Sequence, residues 1–213
     1  MPRHDDKTRT IRDVLGSARM TRLGFLKLSA TSLVGASLGA LAFAEGCTVP
    51  PGSGGDGDPG SLERDLRFAS LDDALAELDL IEAHPPVEML QEWSLYKVLH
   101  HLAQSTEYSM TGFPEERPAF VQAIGKAVFA GFVDDGYMSH DLGAVVPGAP
   151  EIPEDGPLPE AFARLRAAIS AFQSHTGALH PHFAYGELTR EEWELAHAFH
   201  CADHFSSLTY EIA

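Results

Sequence analysis

An all-α fold, an antiparallel four-helix bundle core with an extra helix and one long Pro/Gly-rich loop, is predicted by three observations. Residues 62–213 carry helical periodicity with almost no strand alternation. Capping boxes open two of the periodic runs. Gly and Pro clusters close them.

The first helix starts after Ser70, an N-cap with Asp73 three residues on, and carries Leu71, Ala74, Leu75, Leu78 and Ile81 at helical spacing. Pro85 and Pro86 end it, because a proline disfavours the helical conformation just before it. The second runs from about Ser94 to Thr111 and is stopped by Gly112 and Pro114. Its apolar positions Leu95, Val98, Leu99, Leu102, Ala103 and Met110 span a wide arc, which predicts deep burial. The third covers about Pro118 to Val133, with Phe120, Ile124, Val128 and Phe132 on one stripe. Residues 134–157 hold four glycines and four prolines and read as a long irregular loop of the kind that often carries function. The fourth helix, about Leu158 to Thr176, places Leu158, Phe162, Leu165, Ile169 and Phe172 on one stripe. The last starts with the capping box Thr189/Glu192 and runs to about Tyr210.

What precedes the helices has a different composition. The first 27 residues hold seven basic and three acidic groups, and the remainder holds 8 basic against 28 acidic. Leu28 to Ala44 follows as 17 uncharged residues, too short and too mildly apolar for a membrane-spanning helix. This pattern predicts a signal peptide over residues 1–47. Thr21-Arg22-Leu23-Gly24-Phe25-Leu26-Lys27 resembles a twin-arginine signal with Leu23 in place of the second arginine, so the export route stays open between that pathway and the general one. Ala42-Phe43-Ala44 fits a signal-peptidase site, and Ala44-Glu45-Gly46-Cys47 resembles a lipobox ending at Cys47, the candidate lipidation site. Residues 48–61 are Gly/Pro-rich and read as a flexible tether, which suits an anchored cysteine. The expected location is the periplasm, or the cell envelope by a lipid anchor. The helical domain is expected over residues 62–213.

The formal net charge of −16 argues against nucleic acid as a partner, since the phosphate backbone is bound by Lys and Arg. Two cysteines exclude a disulfide scaffold. A small-molecule substrate or ligand is the expected partner, with a homodimer also possible.

Six of the eleven histidines fall after residue 174. Trp193, His197, His200, His204 and Leu208 share one face of the last helix, the face an amphipathic helix buries. His200 and His204, one turn apart, can place both imidazoles on one metal ion. Buried imidazoles need partners, and a divalent metal satisfies several at once. Cys201 and Asp203 lie off this stripe. A further ligand is available from His100-His101 on the second helix. Periodicity alone leaves open which of the two points inward: His101 shares its face with Ser94, Ser105 and Tyr108, and His100 lies on the side of Trp93 and Gln104.

Trp93-Ser94 with His101 eight residues after the tryptophan, the segment Tyr108-Ser109-Met110-Thr111-Gly112-Phe113-Pro114, Pro181-His182-Phe183-Ala184-Tyr185-Gly186, and the late His200/His204 pair resemble the DinB-like superfamily, in an uncharacterised branch of it. The resemblance covers about residues 66–210. It implies a four-helix-bundle core with a divalent metal, zinc or nickel, held by His101, His200 and His204. Characterised members are mostly metal-dependent thiol transferases or isomerases, so a transferase or hydrolase acting on a small molecule is expected, with a non-catalytic metal- or ligand-binding envelope protein as the alternative. His182 and Tyr185, in the turn before the last helix, are the candidate acid/base groups.

Overall fold

The structure is a computed structural model that describes residues 64–85 and 87–210. The signal-peptide, lipobox and tether readings over residues 1–47 and 48–61 lie outside the described residues, as do Pro86 and the first residues of the expected domain.

The described chain is mostly helical: α1 Leu71–Ala83, α2 Leu95–Thr111, α3 Ala119–Asp135, α4 Leu158–Ser174 and α5 Arg190–Ser206. Local chemistry sets the boundaries. Ser70 and Asp73 close a reciprocal capping box on α1, and Thr189 and Glu192 do the same on α5. Ser94 accepts from Lys97 N at the start of α2. Gly136, at φ 76°, ends α3 in the left-handed conformation that glycine adopts without strain.

α2 packs along α4 and against α5, and α1 lies on α4 and α5. Leu71, Leu78 and Ile81 of α1 meet in one apolar core with Val98, Leu99 and Leu102 of α2, Leu165, Ile169 and Phe172 of α4, and Trp193, Phe199 and Phe205 of α5. Burying side chains of this size contributes about 1.5–3 kcal/mol each, which makes this contact network the main support of the fold.

Two elements differ from the sequence reading. α5 ends at Ser206, short of Tyr210, because Leu208–Thr209 (β2) leaves the helix to pair antiparallel with Glu88–Met89 (β1). Two-residue strands carry no alternation that a sequence could show. Arg64 ties this corner down: it donates to Leu208 O at 2.9 Å and Phe205 O at 2.7 Å and pairs with Glu77 at 2.6 Å.

The second difference is α3. Its stripe does not become core: Phe120 is 67% exposed and Ile124 57%. Only Phe129 of this helix is buried. The face that packs is rotated by about one position, roughly 100°. Gly125, Lys126 and Phe129 lie against the turn over residues 182–187. The Phe129 ring stacks on Tyr185 at 5.2 Å, and Lys126 Nζ donates to Glu187 O at 3.0 Å and pairs with Glu192 at 2.7 Å. A Cβ on Gly125 would sit 2.1 Å from the main-chain oxygen of Ala184. Gly125→Ala is therefore expected to destabilise the domain by about 1–3 kcal/mol, as overpacking does, although Gly to Ala inside a helix ordinarily stabilises. A urea midpoint below that of the wild type checks the sign.

Candidate metal centre

α2 carries His101 inward, where it is 3% exposed. His100 points elsewhere: Arg164 meets its Nδ1 at 2.8 Å and the Tyr96 ring lies 4.4 Å away. Of the two positions that periodicity left open, the inward one is thus His101. On α5, His200 and His204 stand one turn apart and face it.

A fourth imidazole joins them. His140, from the long loop between α3 and α4, completes a group in which one ring nitrogen of each of His101, His140, His200 and His204 lies within 4.8 Å of all the others. Ring centroids are 5.0 Å apart for His101–His200, 5.2 Å for His101–His204, 4.9 Å for His140–His200, 5.1 Å for His140–His204 and 4.9 Å for His200–His204. Such near-equal spacing arrays the rings about one point. His101 Nε2 and His200 Nε2 are 3.2 Å apart. Two imidazoles on one tetrahedral ion, with bonds near 2.0–2.1 Å, stand about 3.3 Å apart.

The loop histidine is held by α5. Asp203 accepts from both the main-chain N–H of His140 (3.0 Å) and its Nδ1 (2.5 Å). The proton is thereby fixed on Nδ1, and Nε2 is left as a lone-pair donor, the arrangement that orients metal-ligating histidines. The far end of the loop is pinned to the start of α2, where Glu154 accepts from Ser94 N at 2.8 Å and pairs with Lys97 at 3.0 Å. Asp203→Ala is expected to weaken metal binding by about 10–100-fold, the usual cost of losing such a support. A competition titration against a chelator dye reads it, and an affinity equal to that of the wild type would detach Asp203 from the centre.

The electrostatics suit a cation held by neutral imidazoles. Burial pushes the His101 pKa down to about 3, with His140 adding to the effect. Burial first, and then neighbouring histidines, hold His200 and His204 well below the usual value. His204 is fully buried, and neither of its ring nitrogens has a hydrogen-bond partner among the described residues. A buried, unpaired imidazole costs free energy, and a metal ion bound to one of its two nitrogens relieves part of that cost. Trp93 closes this side of the cluster, 5.1 Å from the His101 ring and stacked on His204 at 6.2 Å.

His197, on the same stripe, is not part of the group. It packs edge-on to Phe172 at 4.8 Å and stacks on Trp193 at 5.0 Å. Cys201 is a buried free thiol whose pKa is pushed up to about 12 by burial, which makes it a packing residue. Gln104 donates to Pro150 O at 3.4 Å and Glu107 takes Arg164 through both oxygens, so those polar groups serve the loop and α4.

His101, His140 and His200 also wall a cavity of about 70 Å³, room for several water molecules or a few heavy atoms. His182 and Tyr185 line the same cavity. The His182 Nδ1 accepts the main-chain N–H groups of Ala184 and Tyr185, both at 3.1 Å, and its ring stacks on Tyr185 at 4.2 Å. A nitrogen that accepts two N–H groups carries no proton, so the ring is neutral with its hydrogen on Nε2. Burial, its largest cause, lowers the His182 pKa to about 3.

Fold and site together define a helical domain with four histidines able to hold a metal ion. The chain belongs to a family described as "Protein of unknown function (DUF1569)", whose profile spans residues 60–211. No curated protein and no solved structure matches the chain.

Proposed function

We propose that this protein is a metalloenzyme that performs hydrolysis or group transfer on a small molecule at a divalent metal held by His101, His140, His200 and His204. The carrying observation is the convergence of four imidazoles beside a cavity that three of them wall. Imidazole donors suit zinc and nickel. When bound, such an ion acts as a Lewis acid or activates a water molecule. The protein's part is to hold the ligands neutral and oriented, to exclude bulk water through the loop that carries His140, and to present His182 and Tyr185 to a bound molecule.

Four histidines would fill a tetrahedral shell, which favours a second reading: a closed, non-catalytic metal site. Nickel, which accepts higher coordination, would keep positions open to the cavity. Zinc- and nickel-loaded full-length protein, assayed against a panel of small esters, amides and thiols, separates the two. Turnover lost on chelation and restored by metal supports the enzyme. A metal that changes only thermal stability supports the closed site.

The same proposal takes the helices as a DinB-like four-helix bundle, α1, α2, α4 and α5, with α3 as the extra helix. Support comes from the mutual packing of those four and from the motif resemblance. It also places the protein in the cell envelope, exported by its N-terminal segment and anchored through Cys47. That part rests on the basic start, the uncharged stretch and the lipobox-like sequence, and labelling with a radioactive or clickable fatty acid that fails on Cys47→Ser tests it.

A further inference from the structure

The four histidines are not held alike. His101, His200 and His204 ride on α2 and α5, whose inner faces belong to the apolar core. His140 alone stands on a loop, with its side chain 19% exposed and Asp203 as its anchor. The loop beyond it closes on itself: Gly143 N donates to Asp141 Oδ1 at 2.9 Å, Ala144 N to Asp141 O at 3.0 Å and Ala149 N to Val146 O at 3.1 Å. Cavities lie on two sides of this segment. Val145 and Val146 line the one of about 70 Å³ and also a second of about 290 Å³, which Lys97, Gln104 and Pro150 share. His101 borders both. A side chain that faces a cavity lacks packing partners on that side, and a stretch with few buried apolar contacts opens before the core does.

A tetrahedral ion with four protein ligands has no position for a substrate, whereas catalytic sites keep one. Of the four ligands, His140 can leave with the least rearrangement, since each of the others moves only with its helix. It also borders the smaller cavity, together with Ala144, Val146 and Pro147 of its own loop. We propose that the His140 corner of the centre is the substrate's coordination position: the loop carries His140 off the metal, and a small molecule in the cavity takes its place through a single donor atom. The same displacement widens the cavity, because the loop is one of its walls. Asp203 sets how readily this happens, as the group that holds His140 in its resting place. His101, His200 and His204 keep the ion throughout. This inference rests on the metal reading above and adds which ligand gives way.

The test uses the full chain loaded with Co²⁺, which moves the proton resonances of its ligand imidazoles far outside their ordinary range, and azide as a one-donor probe. Co²⁺ uptake is measured first on every sample. His140→Ala is expected to lose at least tenfold less Co²⁺ affinity than His101→Ala. Azide titrated into the wild type is expected to change the visible bands and to remove one set of shifted imidazole resonances, the set that is missing from His140→Ala. In His140→Ala, where no ligand has to leave, azide is expected to bind at least tenfold more tightly than in the wild type. Asp203→Asn, which keeps the size of the side chain and weakens the anchor, is expected to bind azide severalfold more tightly with His140 in place. Co²⁺-replete wild type that ignores azide, or binds it with all four imidazole sets retained, overturns the inference and leaves the metal centre standing. So does a His140→Ala protein that loses Co²⁺ as fully as His101→Ala. Protein that takes up no Co²⁺ overturns both.

Discussion

Zinc added to metal-free protein is expected to raise the thermal midpoint by roughly 8–16 °C. A ligand that binds only the folded state adds about 4 kcal/mol at a thousandfold excess over its dissociation constant. For a chain of this length each kcal/mol moves the midpoint by about 2–4 °C. The effect is large because the site needs residues far apart in sequence, from α2, the 136–157 loop and α5, and only folding brings them together. His101→Ala and His200→Ala are expected to lose nearly all of this gain, while His197→Phe keeps it, since His197 packs on Phe172 and Trp193 outside the cluster. Calorimetry with and without zinc decides. Equal midpoints in the wild type would mean that the four imidazoles do not form a site.

The second large effect is acid lability of the metal-free protein. Burial pushes the pKa of His101 and His197 down to about 3, and holds His204 well below its usual value. In the unfolded chain these side chains take up protons near pH 6.5. Between about pH 3 and 6.5 the unfolded state therefore binds more protons than the native one, and stability falls as pH falls. Each such histidine contributes about 1.4 kcal/mol per pH unit. Three together remove several kcal/mol within one unit below pH 6.5, against a total that is about 5–15 kcal/mol for a typical domain. The metal-free protein is expected to unfold well above the range where carboxylates protonate, and the zinc-loaded protein at lower pH. His197→Phe removes one proton-uptake site without touching the cluster and is expected to move the midpoint down. Circular dichroism followed from pH 8 to pH 3 reads all three. A single midpoint near pH 4, shared by all samples, would assign acid unfolding to carboxylates instead.

Much of the architecture was readable because it is written locally. Ser70/Asp73 and Thr189/Glu192 announce helix starts through side chains that bond their own backbone, and the stripes of α2 and α4 name their own buried faces. The His200/His204 pair is legible for the same reason, since a spacing of four puts two side chains on one face. What stayed hidden depends on contacts between distant segments. His140 sits in a loop with no period, and only Asp203, 63 residues on, gives it an orientation. Asp203 lies off the α5 stripe because it supports a ligand rather than being one. The α3 stripe misleads because periodicity reports that a helix is two-faced, not which face finds a partner. Phe129, one position from the stripe, meets Tyr185, and Gly125 lets the backbone of Ala184 come close. A fold of helices 13 to 17 residues long can be read from the chain, but a metal shell gathered from three segments cannot.

The most direct measurement is metal content. Full-length protein without a histidine tag, with His101→Ala, His140→Ala and His200→Ala beside it, would be exposed to zinc or nickel, freed of excess, and analysed for transition metals. About one ion per chain in the wild type is expected, lost in His101→Ala and His200→Ala and reduced in His140→Ala. A wild type that retains no metal after exposure to either ion would contradict the centre and leave the four histidines as a polar core of the domain.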